Sequence, residues 1–269
     1  MRIRRLLLVL TALIGSGASP AIVSAQATGD QSSLVFTISL GAASGSRLWS
    51  SSPQAVQFAN PPDTFALARR IRSTLAVGFG GAYFPGENVG FTLEGFLIGL
   101  GFDTSCRHLF SSGASEMADA CQSIQSKGGA ATSVILSGGS IFRFNSRKLF
   151  SPYGRVNAGL VFSNRSSLRT TGQFVNNSLG EIQEVFVYTD DHSSRVDPAL
   201  ALGVGFTAAV AKGYNIRWEV RDNIVGVQRV TSTIPVAGSV PPHERVFKHL
   251  FSLTVGFDVV LERRRGRRY

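Results

Sequence analysis

The sequence predicts an all-β fold: a closed antiparallel up-and-down transmembrane β-barrel with eight strands and long extracellular loops. Eight segments alternate large apolar residues with small or polar residues at a period of two, which is typical of β-strands. Short and long connections alternate between these segments, as in barrels with short periplasmic turns and longer extracellular loops. Beyond Ala27 no apolar run reaches the length of a membrane helix, and only helices and closed barrels satisfy their backbone groups in lipid.

The first residues, MRIRRLLLVLTALIGSGASPAIVSAQATGD, have the pattern of a secretory signal peptide. Arginines precede a short apolar stretch, Leu6–Ile14, and small residues then lead to cleavage points after Ala25 or Ala27. We therefore expect three parts: a signal peptide over residues 1–27, the barrel over 28–261, and a basic tail, ERRRGRRY, over 262–269.

The formal net charge of +10 is concentrated at the two ends of the chain. Three arginines lie in the predicted signal peptide and five in the tail, so the body between them is only mildly basic. A high isoelectric point of this origin does not indicate a nucleic-acid partner, and we expect none. The tail is either a solvated extension or a contact for anionic headgroups or an acidic periplasmic partner.

The two cysteines, Cys106 and Cys121, form an even pair in an exported chain, which predicts one disulfide closing a local loop. A metal site is not expected because no second Cys/His pair lies near them in sequence. The segment SEMADACQSIQ, residues 115–125, is compatible with a short helix tied down by this disulfide.

The alternating segments span 33–43, 69–84, 89–103, 132–144, 151–162, the two halves of 199–220, and 249–261. The face of Leu, Val, Ile and Phe is expected to meet lipid, and the face of Gly, Ala, Thr and charged residues is expected to fill the lumen. Small residues are needed there because about eight strands leave an interior only wide enough for side chains. In the third segment the apolar phase shifts by one residue, which predicts a β-bulge near Gly95.

Three connections are short: PGEN, NSRK and AKG. Their sequences are typical of hairpin turns. Aromatic residues gather beside them, as in the girdle at one membrane interface. These residues are Tyr83, Phe84, Phe144, Phe150, Tyr153, Tyr214 and Trp218.

Eight charged residues fall on the predicted inner face and are the candidate site residues: Arg70, Arg72, Glu94, Arg155, Arg217, Glu219, Arg221 and Asp258. A charge in a narrow lumen must be paired and hydrogen-bonded, so these residues predict a network that plugs the barrel. The alternative is a lined channel for small anions.

Two further segments leave alternatives open. QEVFVYT, residues 183–189, also alternates, and it either extends neighbouring strands or forms an extra hairpin, so the strand count is eight or ten. TDDHSS, residues 189–194, contains Asp, His and Ser, but contiguous loop residues rarely converge into a catalytic triad. We expect no catalytic residue, no cofactor and no metal site.

The segments SPYGRVNAGLVF, RWEVRD and HLFSLTVGFDVVL resemble the strands of small outer-membrane barrels of Gram-negative bacteria, the OmpA/OmpX/OmpW-like superfamily. The resemblance covers about residues 33–261. Members usually end the last strand with an aromatic residue, whereas this apolar face ends at Leu261. The resemblance implies an outer-membrane location, with membrane lipids, lipopolysaccharide and the outer-membrane assembly machinery as partners. We expect a monomer.

The resemblance also implies a non-enzymatic role, either structural or in surface interaction through adhesion or ligand contact. An alternative function is a narrow conduit for small or hydrophobic solutes, as suggested for OmpW-like barrels. A hydrolase acting on lipid A or peptides is the third alternative.

Overall fold

The computed structural model describes residues 32–51, 53–56, 63–109, 115–126, 132–144, 149–164, 166–176, 179–190, 195–235 and 237–262. The predicted signal peptide, the arginines of the tail and the predicted turn NSRK lie outside these residues. Most of TDDHSS does too, since only Thr189 and Asp190 of that segment are described.

Fourteen strands and one helix occupy the described part of the chain, and most of it is β-structure. In chain order they are β1 (Ser33–Ala43), β2 (Arg47–Ser50), β3 (Gln54–Val56), β4 (Asp63–Ile71), β5 (Thr74–Phe84), β6 (Val89–Gly99), β7 (Phe102–His108), α1 (Ser115–Ser126), β8 (Thr132–Arg143), β9 (Phe150–Ser163), β10 (Thr170–Asn176), β11 (Glu181–Tyr188), β12 (Arg195–Ala211), β13 (Tyr214–Val230) and β14 (His243–Glu262).

Eight of these strands form a closed barrel, in the order β1, β5, β6, β8, β9, β12, β13 and β14. Every neighbouring pair is antiparallel, and β14 pairs back onto β1 with Ser33 opposite Glu262 and Ala43 opposite Ser252. The predicted up-and-down, eight-stranded barrel is therefore confirmed. Neighbouring barrel strands follow one another in chain order. The pairing of β14 with β1 closes the sheet, so the barrel has no free sheet edge.

The outer face of the barrel is apolar along every strand. Ile38, Leu75 and Leu93 are 69%, 73% and 74% exposed, whereas alternate residues of the same strands face inward. Exposure of large apolar side chains over a whole barrel is unfavourable in water and matches a hydrocarbon surrounding.

The two ends of the barrel differ. At one end, here called the turn end, β5 and β6 are joined by residues 85–88, and β12 and β13 by the two-residue turn 212–213, in which Gly213 has a φ of 82°. That left-handed conformation favours glycine. At the other end, the loop end, the connections are long and contain β2, β3, β4, β7, α1, β10 and β11. These seven elements are called the cap.

Within the cap, β2, β3 and β7 all pair with β4, and β10 pairs with β11 in a separate hairpin. QEVFVYT lies mostly in β11, so the segment forms an extra hairpin outside the barrel and the barrel keeps eight strands. The predicted helix is confirmed as α1, and the predicted disulfide joins Cys106 of β7 to Cys121 of α1. No helix in the described ranges is long and apolar enough to cross a bilayer.

The predicted bulge near Gly95 is wrong. The pairing of β6 with both β5 and β8 keeps a constant register through Gly95. The apolar phase changes for another reason: Phe96 and Ile98 point into the barrel, where they are 1% and 2% exposed. The inner face of β6 is thus polar near the middle of the barrel and apolar towards the loop end.

One apolar core runs from the loop end of the barrel into the cap. Barrel residues Phe96, Ile135 and Val161 belong to the same buried cluster as cap residues Trp49 and Phe65. A smaller buried cluster lies inside the barrel at the turn end: Val35, Ala82, Phe84, Ile141 and Tyr153. Phe84 and Tyr153 therefore face inward, unlike the other predicted girdle aromatics of the described residues.

Candidate functional site

A layer of charged side chains lies inside the barrel between these two apolar clusters. Three arginines and three carboxylates form it, on strands β6, β9, β13 and β14. They are here called the lumen network: Glu94, Arg155, Arg217, Glu219, Arg221 and Asp258. All six side chains are buried.

Glu219 is the most connected member of the lumen network. Its Oε1 accepts hydrogen bonds from Arg155 Nη2 at 2.5 Å and from Arg221 Nε at 3.0 Å. Its Oε2 accepts a hydrogen bond from the Tyr153 hydroxyl at 2.6 Å. Two arginines and a phenol therefore satisfy a single carboxylate that is only 1% exposed.

Glu94 joins the same two arginines from the opposite side. Its Oε2 lies 3.2 Å from Arg155 Nη1 and also accepts a hydrogen bond from Arg221 Nη2. The Arg221 guanidinium in addition lies 4.4 Å from the centroid of the Phe96 ring, at the boundary with the apolar core. Cation–π contact of this kind compensates a cation that has lost its water.

Arg217 and Asp258 form a separate ion pair nearer the turn end. Arg217 Nη2 and Nε donate to Asp258 Oδ2 at 2.8 and 3.2 Å, and the Thr37 hydroxyl donates to Asp258 Oδ1 at 2.7 Å. The Arg217 guanidinium lies 5.0 Å from the centroid of the Tyr153 ring. Within the lumen network the three positive and three negative charges are thus equal in number and hydrogen-bonded, as buried ions require.

Two of the eight candidate site residues are not in the lumen. Arg70 is exposed on β4 and Arg72 is exposed just after it, so both belong to the cap. The predicted second strand is in fact two strands, β4 and β5, separated at Arg72–Ser73. The alternation of inward- and outward-facing residues before this break therefore does not continue in phase into the barrel. Ile71, which was predicted to face lipid, is buried.

Sequence reasoning missed one arginine of the lumen, Arg143. It lies at the turn end of β8, where its guanidinium is 3.5 Å from the centroid of the Phe84 ring. Its Nη2 is buried without a hydrogen-bond partner. Alternation along SIFRF could have predicted this position, because Arg143 is two residues from the inward-facing Ile141 and therefore lies on the same side of the strand.

Side chains of the described residues occupy the lumen at three levels: the two apolar clusters and the lumen network between them. A cavity of about 20 Å³ lies beside the lumen network, lined by residues that include Thr37, Ser39 and Thr254. This volume holds about one water molecule. Towards the loop end the apolar core occupies the interior, with Phe96, Ala76 and Ile135 buried there.

The cap also contains a buried cation, Arg69 of β4, which sequence reasoning placed in a membrane strand. Its guanidinium donates to the Ser167 carbonyl at 2.8 Å, the Arg169 carbonyl at 2.8 Å and two threonine hydroxyls at 3.0 Å. Burial lowers the pKa of Arg69 to about 10, so it remains charged at neutral pH. Through these carbonyls Arg69 fixes the start of the β10–β11 hairpin to the sheet.

Gln54 of β3 ties the cap to the last long connection. The side-chain amide donates to the Ile234 carbonyl at 2.6 Å, and its Oε1 accepts from the Ile234 N–H at 2.9 Å and the Tyr188 hydroxyl at 3.2 Å. Gln54 is fully buried. The cap is therefore held to the loop end by specific polar contacts as well as by the shared apolar core.

Comparison with known proteins finds similarity in structure only. No protein-family model and no curated protein matches the sequence. OprG from Pseudomonas aeruginosa has 10% identity and a TM-score of 0.48, covering 87% of this chain and 98% of its own. Neisserial surface protein A has 10% identity and a TM-score of 0.41, with 84% and 96% covered. The outer-membrane protein AlkL has 16% identity and a TM-score of 0.40, with 88% and 92% covered.

These scores stay below 0.5, so the assignment of the fold rests on the chain's own strands. A closed, even-numbered antiparallel barrel with an apolar outer face and alternating short and long connections is the architecture of bacterial outer-membrane proteins. The chain is an eight-stranded outer-membrane β-barrel. Aromatic residues on its outer face support a membrane interface at the turn end. The rings of Phe206 and Trp218 stack there with centroids 4.9 Å apart, and those of Tyr214 and Phe257 stack with centroids 5.6 Å apart.

Proposed function

We propose that this barrel is a closed, non-enzymatic anchor that holds the folded cap at the cell surface for contact with a ligand or partner. The observation that carries the proposal is the shared apolar core, which joins Phe96 and Ile135 of the barrel to Trp49 and Phe65 of the cap. A core of this kind gives the cap a defined shape on a rigid base. It also fills the space that a conduit needs.

The lumen network supports a closed barrel for an electrostatic reason. The three arginines and three carboxylates of the network are paired with one another within 3.2 Å, and the remaining lumen cation, Arg143, lies against the Phe84 ring at the turn end. A pore lined by one sign of charge selects ions, whereas a balanced buried network acts as part of the protein interior.

Planar-bilayer recording tests the closed barrel against a conduit. Refolded protein is inserted after its folded state has been checked by the mobility change on boiling. We expect no steady conductance above that of a protein-free bilayer. Steady conductance, whether anion-selective or not, would replace the anchor by the conduit.

Cysteine labelling tests whether the cap faces the outside of the cell. Gln173 is exposed on β10 of the cap and Lys212 is exposed in a short turn at the opposite end. We expect a membrane-impermeant maleimide to label Gln173→Cys on intact cells and Lys212→Cys only after the outer membrane is opened. The reverse pattern would contradict a surface cap, while the native cysteines remain unreactive in their disulfide.

A further inference from the structure

Strands β4 and β7 of the cap continue the barrel wall formed by β5 and β6. Two residues separate the end of β4 from the start of β5, and two separate the end of β6 from the start of β7. Both pairs are antiparallel, and their buried residues, such as Phe65 and Leu67, face the core. The exposed face of this sheet is therefore the upward extension of the lipid-facing wall.

This exposed face carries four arginines: Arg47, Arg70, Arg72 and Arg107, here called the rim arginines. All four are exposed. Small residues separate them along the sheet, since Ala66 and Ala68 of β4 lie opposite Arg107 and Ser105 of β7. The face is thus flat in its centre and basic at its edges.

Arg47 and Arg70 lie directly opposite each other on β2 and β4. Like charges in this position repel and destabilise a sheet. The face has one carboxylate, Asp103, among its described side chains; it lies opposite Arg70 in the β4–β7 pairing, but it is Arg72 Nε that binds it, at 3.0 Å. Arg47, Arg70 and Arg107 make no ion pair within the described ranges.

The opposite wall of the barrel shows a different arrangement. Above the apolar belt of β13 and β14, Arg245 pairs with Asp197 at 3.0 Å, His249 with Asp222 at 2.6 Å, and Arg229 with Glu244. Arg229 and Arg245 there are each paired with a carboxylate of the chain. Arg47, Arg70 and Arg107 differ from Arg229 and Arg245 in having no carboxylate partner within the described ranges.

We propose that the rim arginines form a binding site for the phosphate groups of the glycolipids in the outer leaflet. Three of them lie at the level where the barrel leaves the hydrocarbon: Arg72 is three residues from Leu75, which is 73% exposed on the lipid-facing wall, a distance of about 10 Å at strand rise. Guanidinium groups bind phosphate in a bidentate manner. The proposal rests on the proposed function, because it needs the loop end to lie in the outer leaflet.

Position on the membrane favours lipid over a soluble polyanion. A lipid headgroup is brought to the face by the bilayer itself, at high local concentration. Arg107 lies four residues further along the sheet from the register position of Arg70, about 13 Å higher, where it meets the outer part of a large headgroup. The rim arginines thus lie at different heights along the membrane normal.

The test compares two double variants of the full-length mature protein in zwitterionic micelles. Arg47→Gln with Arg70→Gln removes the facing pair, and Arg229→Gln with Arg245→Gln removes the same charge from the opposite wall. Native mass spectrometry measures the apparent Kd for bisphosphorylated lipid A, with dephosphorylated lipid A and heparin as comparison ligands.

We expect the first variant to bind bisphosphorylated lipid A about 25-fold more weakly than wild type, at about fivefold for each arginine. The control variant should lose less than about threefold, and dephosphorylated lipid A should not distinguish the three proteins. Removal of Arg47 and Arg70 should leave the thermal midpoint unchanged or raised, because it removes a repulsion.

Equal lipid A affinity in wild type and the Arg47/Arg70 variant would overturn the site, as would an equal loss in the control. Binding of heparin that is tighter than that of lipid A and lost in the same variant would assign the face to a soluble polyanion instead. Failure of the proposed function has a separate signature. It would appear as steady conductance or inverted labelling while the difference in lipid A affinity persists.

Discussion

The Tyr153 hydroxyl of β9 reaches Glu219 of β13 at 2.6 Å by passing over the strand between them, β12. Two glycines of β12 make this possible. A Cβ on Gly203 would lie 2.8 Å from Glu219 Oε1, and a Cβ on Gly205 would lie 2.8 Å from the Tyr153 hydroxyl and 2.1 Å from the Trp218 carbonyl oxygen. The small residues of ALALGVGF thus serve both side-chain pairing and close contact between strand backbones.

Substitution of Gly205 is expected to prevent normal closure of the barrel. Its Cβ would collide with the backbone of β13, which cannot move aside as a flexible side chain can. We expect Gly205→Ala to lower the free energy of unfolding by about 3 kcal/mol. Urea titration in lipid vesicles, followed by gel mobility without boiling, measures this loss.

Gly81→Ala is the matched control on β5. A Cβ there meets only the Val35 carbonyl oxygen at 3.7 Å, an ordinary contact. We expect stability within about 1 kcal/mol of wild type, because the half-buried Gly81 has room for a methyl group and glycine in a strand interior is entropically unfavourable. Equal stability of the two variants would contradict the close strand approach at Gly205.

The Arg217–Asp258 pair provides a test of the lumen network. Asp258→Asn should cost about 3 to 5 kcal/mol, because it leaves the Arg217 cation buried without its partner. Adding Arg217→Met to Asp258→Asn should recover part of this loss, since the cation is then removed as well. A double variant less stable than Asp258→Asn would show that Arg217 is stabilised mainly by contacts other than Asp258.

Loss of the disulfide is expected to loosen the cap while the barrel stays folded. Cys106 and Cys121 are 15 residues apart, a loop for which chain entropy predicts about 3 kcal/mol. In a Trp218→Phe background, Trp49 of the cap is the sole tryptophan and its fluorescence reports the cap. We expect Cys106→Ser with Cys121→Ser to lower the urea midpoint of Trp49 fluorescence. The mobility change on boiling should persist, and its disappearance would mean that the barrel depends on the disulfide.

Alkaline pH is expected to destabilise the cap through Tyr188 of β11. Burial raises the pKa of the Tyr188 phenol, although a hydrogen bond from Ser51 opposes this in part. In the unfolded chain tyrosine ionises near pH 10, so the unfolded state releases a proton there while folded Tyr188 keeps its own. Stability of the cap is therefore unaffected by this group below about pH 10 and falls above it.

Tyr188→Phe should remove that part of the alkaline loss. The phenylalanine keeps the edge contact with Trp49, whose ring centroid is 6.0 Å away, and gives up the hydrogen bond to Gln54. Trp49 fluorescence in urea, compared between pH 8 and pH 11, should change less in this variant than in wild type. An identical pH dependence in both would assign the alkaline loss to other groups.

The sequence was sufficient to predict the barrel because period-two alternation and the short turns are local signals. Leu253, Val255 and Phe257, for example, reach lipid as their alternation predicts. The same rule located Glu94, Arg155, Arg217, Glu219, Arg221 and Asp258 on inward-facing positions. It could not supply their partners, since the pairing of Glu94 with Arg221 spans 127 residues.

Only α1 and the alternation of β11 were recognised in the cap, because its other strands are short and give no clear periodic signal of their own. Arg70 and Arg72 were placed in the lumen because β4 runs almost directly into β5. Phe96 and Ile98 suggested a bulge because the interior was assumed to be polar throughout. An apolar lumen is favourable only when other residues shield it from water. Here the cap does so, and its contact with the barrel exists only in the tertiary structure.

The core shared between barrel and cap limits how the surface of this protein can change over evolutionary time. Residues such as Trp49, Phe65 and Tyr188 cannot drift independently of the strands below them, because each one fills space against the barrel interior. Substitutions are therefore expected to be tolerated at positions whose side chains leave the core, such as Gln173, Ile182 and the turn Leu179–Gly180. Constrained and tolerant positions of the cap then alternate residue by residue along the same short strands.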